Sequence, residues 1–359
     1  MTMEGALIAV FFLVLAVSVS TLASRLRSTK PAYNVTQQRG KQSEKPPLIE
    51  PLREFDWKQA EARKLRIFKP VYHISMGIRS DTPSELITID QDYADRISLR
   101  QQLIAEHPNA VHGCVLGGED AVHELYSYLL NDYLPIRFPN IFTLSVDKTA
   151  FTNHITGKKL PITPPSDSLA ALRVLGETVE EELFLLLDTP DGHRLFAVMC
   201  CFPSDFDPME KLGKTLTDIH GPVPAYEKIG PSMERFFRKL EVGKSVKRAN
   251  WGIQTHAELF SCQANPRILA GDTAEGQQID MESTYLRSEL QTLTRLPKTR
   301  AILFSFKTYM YSIREIKGEG LGSQFADAIE GLQKGNAPGM WTYKGASRWG
   351  KDVCEYLRS

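Results

Sequence analysis

The sequence predicts an α+β fold built on a five-stranded antiparallel sheet, with a helical crossing between the second and third strands. Three observations carry that prediction. The segment ELFLLLDTPDGHRLFAVMCCF (182–202) holds two apolar, strand-length runs separated by Thr-Pro-Asp-Gly, a turn signal that closes a β-hairpin. The stretches DPMEKLGKTLTDIH and PSMERFFRKLEVG (207–243) then read as helical. Three further strand-like runs follow: SVKRANWGIQTH, STYLRSELQTLTRL and TRAILFSFKTYMYSI.

Before this core, residues 1–4 form a short tip and GALIAVFFLVLAVSVSTLA (5–23) runs without a charge over about the span of a bilayer core. Glu4 precedes it and Arg25, Arg27 and Lys30 follow, so the positive-inside rule predicts one transmembrane anchor with the folded domain in the cytosol, at the endoplasmic reticulum or another endomembrane. The alternative is secretion after cleavage of a signal peptide. Thr21 and Ala23 are small enough for cleavage, but the basic n-region of that class is missing. The sequon at Asn34 reads as an unmodified linker residue. Residues 24–65, rich in proline, glutamine and lysine with no apolar period, read as a flexible tether. Residues 66–359 form the folded domain, with the sheet core at about 180–312. DQDYADRISLRQQLIAEHP and EDAVHELYSYLLNDYL add two amphipathic N-terminal helices, the second with Ala121, Leu125, Leu129 and Leu130 at helical spacing. KGEGLGS (317–323) lacks the chain after it that a dinucleotide-binding unit needs, and reads as helix capping.

Composition excludes some classes of partner. Forty-three basic residues balance forty-three acidic ones, so no global charge points to nucleic acid. The five cysteines are an odd number with no CxxC, which favours a reducing compartment over a disulfide scaffold. Cys200 and Cys201 are adjacent on a strand and point to opposite faces, so they do not chelate one ion. Neither an iron–sulfur spacing nor a flavin loop is present.

His220 is the candidate the sequence singles out. It ends a helical run and is followed by Gly221, Pro222, Val223 and Pro224, where the helix must stop, so its imidazole sits on a stiff corner. That corner binds a metal, moves a proton, or is a structural helix end bonded to a nearby carbonyl. His107, His112 and His123 fall in or beside surface helices, His193 lies next to the hairpin turn and His256 ends a strand run. Further on, Arg248 and Asn250 precede Trp251, and Glu289, Gln291 and Arg295 share one face of the next run. That face is either a functional pocket or a solvated exterior with a surface ion pair.

Two strands, a helical crossing and three strands is the order a PAS domain uses, and in haem-binding PAS proteins the axial histidine comes from that crossing. The chain resembles the haem-dependent oxidative N-demethylase-like family over roughly residues 66–358, through KPVYHISMGIR, KLGKTLTDIHGPVP, RANWGIQTHAELF, LRSELQTLTRLPKTRAILFSFKTY and GNAPGMW. The resemblance implies a PAS-like domain binding haem b that removes an N-methyl group from a small secondary amine with O2. Formaldehyde is released, and electrons come from a separate NAD(P)H-dependent reductase. It implies His220 as axial haem ligand, with His73 in reserve, and Trp251 beside the cofactor. Arg248 or Arg295 would serve the propionates or distal polarity, and Glu289 the substrate ammonium or a proton relay. Tyr309 is the candidate donor to bound oxygen, with core packing as its alternative. Leu290 departs from the family pattern, which often carries arginine there. Two other classes stay open: a non-catalytic haem-PAS sensor or haem carrier, and a non-haem structural or interaction protein.

Overall fold

The computed structural model describes residues 45–262 and 279–359. The hairpin is β6 (Glu182–Thr189) and β7 (Gly192–Met199), joined by Pro190 and Asp191, with Gly192 at φ +107° making the turn possible. β8 (Ser245–Gln254), β9 (Tyr285–Arg295) and β10 (Ile302–Ser312) follow, each with β-branched or aromatic residues alternating across the pleat.

These strands do not form a five-stranded sheet by themselves, and that expectation is corrected. β1 (Arg79–Asp81) adds to β8 and β2 (His112–Cys114) adds to β7, giving a seven-stranded sheet in the order β1-β8-β9-β10-β6-β7-β2. Every pairing is antiparallel. A second sheet of three strands, β3 (Phe142–Leu144), β4 (Ala150–Asn153) and β5 (Lys159–Pro161), stands apart from it. The extra strands are three or four residues long, too short to show a period of two in the sequence.

The membrane expectation is corrected as well. No helix among the described residues is long and apolar enough to cross a membrane. Residues 5–23, on which that expectation rests, lie outside the described residues, as do the tip, the sequon and residues 24–44. The tether reading also fails for residues 45–65, which lie against the folded body. Ile49 is buried, the Glu50 amide donates to Ser84 Oγ (2.8 Å), the Leu52 amide to Arg137 O (2.8 Å) and the Gln91 amide to Ala60 O (2.8 Å).

Helices cover both faces of the large sheet. On one face lie α1 (Tyr93–Glu106), α2 (Glu119–Ser127) and α3 (Ser168–Gly176), tied to β6 by a buried ion pair from Arg100 Nη1 to Glu182 Oε1 (2.7 Å). Glu182 also accepts from the amides of Cys201 and Phe202, so removing either partner strands a buried charge at a cost of about 3–5 kcal/mol. The crossing after β7 contains α4 (Leu216–His220) and α5 (Gly230–Lys239), which pack Leu216, Met233 and Phe237 onto Phe184, Leu186, Leu195 and Phe306 of the sheet. After β10 come α6 (Ile313–Gly318), α7 (Gly322–Glu330), α8 (Met340–Tyr343) and α9 (Ala346–Arg358). They bury Leu286, Leu290, Tyr309 and Tyr311 against Phe325, Trp349 and Val353. α7 meets α9 so closely that a Cβ on Gly322 would stand 2.2 Å from the carbonyl oxygen of Leu357.

Candidate functional site

A cavity of about 600 Å³ lies between the sheet, the α4–α5 crossing and the segment around α8, a size typical of ligand sites, which run to ~300–1,000 Å³. One wall is apolar: Phe184, Leu186, Leu195, Leu293, Phe304 and Phe306. The register explains why. Phe304 stands opposite both Phe184 and Leu293, so alternation turns these side chains to one face. The facing wall from α4 and α5 includes Ile219, His220, Met233 and Phe237.

His220 owes its place to a short, well-capped helix. Thr215 accepts from the Asp218 amide while Asp218 accepts from Thr215, a capping box that starts the five-residue α4 directly before the proline-rich stop. His220 Nδ1 lies 2.8 Å from the carbonyl oxygen of Leu216. A carbonyl only accepts, so Nδ1 carries the proton and Nε2 keeps its lone pair, the arrangement of a metal-ligating imidazole held by its other nitrogen. Burial pushes the imidazole below its usual pKa against the opposing bond to Leu216, which keeps it neutral and able to ligate. Its ring stacks on Tyr226 at 4.8 Å, with 5° between the planes. Among the described residues His220 is the one histidine in the lining. His73 is exposed and not part of it, although its neighbours Tyr72 and Ile74 are, so the structure offers it no place as a reserve ligand.

The polar end is built by β8 and β9. Arg248 pairs with Gln291, Asn250 with Glu289 and Gly252 with Arg287, which lays these side chains side by side. Arg248 Nε is buried with no hydrogen-bond partner among the described residues, and burial pushes its guanidinium below the usual range. Glu289 is 7% exposed, and its Oε2 accepts from Gln291 Nε2 (2.8 Å) and Asn250 Nδ2 (3.4 Å). The lining as a whole carries Lys211, Arg248, Arg287, Lys344 and Arg348 against Asp205 and Glu289. That excess of cations suits an anionic occupant.

Other expected site residues fall elsewhere. Arg295 shares the parity of Glu289 but lies outside the cavity lining. Its guanidinium donates to Leu240 O (2.6 Å), Arg300 O (2.5 Å) and Phe237 O, tying the end of β9 to the end of α5. Tyr309 pairs with Ser288, so it projects from the opposite face. There it lines a second cavity of about 400 Å³ with Asp90, Glu180 and Lys307, its hydroxyl without a hydrogen-bond partner among the described residues. Leu290 also lies on that far face, buried with Tyr309 and Tyr311, so its side chain does not enter the large cavity. Trp251 borders the cavity, and its ring packs edge-on against Phe325 at 5.6 Å.

Two residues escaped the sequence reading. Arg287 follows from continuing the Glu289 alternation by one step. It is buried, donating to Gln254 Oε1 (3.1 Å), Leu259 O (3.2 Å) and Phe202 O (2.6 Å). Lys344 sits between α8 and α9, where no periodicity marks it, and only the tertiary fold brings it to Asn250.

A haem fits these residues. No group of three or more His, Cys, Asp or Glu able to hold a metal ion occurs among the described residues, and a porphyrin, which brings most of its iron's ligands with it, would ask only one imidazole of the protein. The apolar walls suit the macrocycle, and Arg248 suits a propionate. Residues 77–354, a span that includes His220, Arg248, Glu289 and Lys344, match the family described as haem-dependent oxidative N-demethylase, alpha subunit-like.

Proposed function

Because the chain belongs to the haem-dependent oxidative N-demethylase, alpha subunit-like family, we propose that it oxidatively demethylates a small secondary N-methylamine in the large cavity. The observation that carries this reading is the presence, in one cavity, of His220, whose Nδ1 is bonded to Leu216 O so that Nε2 is left to ligate, and of Arg248, whose buried Nε has no hydrogen-bond partner among the described residues. Bound haem supplies the redox chemistry: O2, two electrons and two protons convert the N-methyl group to formaldehyde, the demethylated amine and water.

The chain's own groups do the binding and orienting. His220 Nε2 would hold the iron, and the bond from its Nδ1 to Leu216 O fixes the ring. Arg248 would receive a propionate. Glu289 holds the substrate ammonium, with Asn250 and Gln291 occupying one carboxylate oxygen so that the other is available. Phe184, Phe304 and Phe306 exclude water from the apolar end, which strengthens each of these polar contacts. Electrons come from a separate NAD(P)H-dependent reductase, because the chain carries no flavin or iron–sulfur signature.

The test is formaldehyde release from dimethylamine by haem-loaded protein supplied with O2 and an electron donor. Turnover that is lost in Glu289→Gln supports the reading. Amine binding without formaldehyde would replace it with a sensor or carrier role.

A further inference from the structure

We propose that Lys344 is the positioning residue for Glu289, holding the Asn250 amide so that the carboxylate is oriented to receive a substituted ammonium ion. The proposal rests on the reading of Glu289 as the amine-binding group. Lys344 Nζ donates to Asn250 Oδ1 (3.2 Å) and to the carbonyl oxygen of Trp251, and it lies 5.4 Å from the centre of the Trp251 ring. An ammonium group only donates, so the oxygen of the Asn250 amide must face Lys344 and its nitrogen must face Glu289. That nitrogen lies 3.4 Å from Glu289 Oε2, the oxygen that Gln291 Nε2 also reaches at 2.8 Å. Two amide donors thus converge on one carboxylate oxygen.

The intervening neutral amide is the chemically informative part. A lysine in direct contact with Glu289 would neutralise it as a receptor for a second cation; Lys344 instead acts through Asn250 and makes no ion pair with the carboxylate. Its backbone contact has a further effect. Beyond the three residues that β1 covers, no other strand among the described residues pairs with this edge of β8, and Lys344 takes up the Trp251 carbonyl. Gly345, at φ +72°, turns the chain directly after it into α9, so the lysine is held on a short, constrained link. Burial lowers the Lys344 ammonium to about 8, with Glu289 opposing that shift and Arg248 adding to it, as expected for a cation with little access to water.

The experiment titrates dimethylamine into the full-length, haem-loaded protein by calorimetry, alongside Glu289→Gln, Lys344→Met and Lys344→Arg, with thermal melting of each. Glu289→Gln abolishes binding. Lys344→Met weakens it about ten-fold, as for loss of one charge-assisted contact, while the Soret position without amine stays at the parent value and the melting midpoint falls by only about 4 °C, as for two lost hydrogen bonds. Lys344→Arg, which can still donate to both oxygens, recovers most of the affinity. If Glu289→Gln binds like the parent, the amine-site reading fails and the Lys344 proposal fails with it. If Glu289→Gln abolishes binding but Lys344→Met binds like the parent, the Lys344 proposal alone is overturned.

Discussion

Arg248 and Arg295 have the same side chain and a similar position in the sequence pattern, yet the structure gives them opposite consequences on substitution. Arg295→Leu deletes three hydrogen bonds to carbonyl oxygens of the described residues, and two of those acceptors, Phe237 O and Leu240 O, belong to the C-terminal end of α5, where a cation is favoured by the helix dipole. Taking about 1 kcal/mol net for each bond, because the desolvation of the guanidinium is recovered, the loss is about 3 kcal/mol. At roughly 2 °C per kcal/mol for a domain of this size, the melting midpoint of the haem-free protein falls by about 6 °C. Haem uptake per folded molecule is unchanged. Arg248→Leu loses no hydrogen bond to the described protein and removes a buried cation, so the haem-free protein melts at or above the parent temperature. Its haem affinity falls about ten-fold, the worth of one charge-assisted pair. Scanning calorimetry of the haem-free proteins and a haem titration read at the Soret band measure both effects. An Arg295→Leu protein that loses haem at an unchanged midpoint, or a haem-free Arg248→Leu protein that melts lower, refutes this division of roles.

Glu181 accepts from the Thr88 amide (2.7 Å), and burial, against the attraction of Lys307, raises its carboxyl to about 7. A folded-state pKa above the unfolded one makes its contribution fully present below the ordinary carboxylate range and lost as pH rises through 7. Glu181→Gln therefore gains about 3 kcal/mol on the parent at pH 8 and little at pH 4, as urea unfolding measures; an equal difference at both contradicts the assignment. Gly322→Ala puts a Cβ 2.2 Å from Leu357 O and costs about 1–3 kcal/mol, despite alanine's better helix propensity. Gly318→Ala meets nothing within 4 Å and stabilises slightly, by about 0.5 kcal/mol, so matching thermal shifts for the two variants would count against the close α7–α9 packing.

The strands that position the site were legible because each carries its own signal. The Pro-Asp-Gly turn marks the β6–β7 hairpin, and the apolar alternation of β9 and β10 marks their faces. β1 and β2, three residues each, are too short for a period and exist because neighbouring strands offer unpaired edges. His220 was legible from the proline-rich stop after it. The Leu216 bond is the i−4 contact that a helix end makes available. Parity grouped Glu289 and Gln291 correctly, but it cannot tell how far an arm reaches, and so Arg295 was grouped with them although it turns to α5. Tyr309 takes its core-packing alternative, because the relative face of two strands depends on their register, and Tyr309 pairs with Ser288 rather than Glu289. Lys344 and the docked residues 45–65 gave no signal, since both are irregular segments held by contacts distant in sequence.

The central claim is that His220 ligates haem iron in the large cavity, and the visible absorption spectrum tests it most directly. The protein is expressed with haem available and compared with His220→Ala. A Soret band in the parent that is lost or shifted in the variant is the predicted result. A well-folded parent without a Soret band, or a variant with an unchanged one, would contradict it.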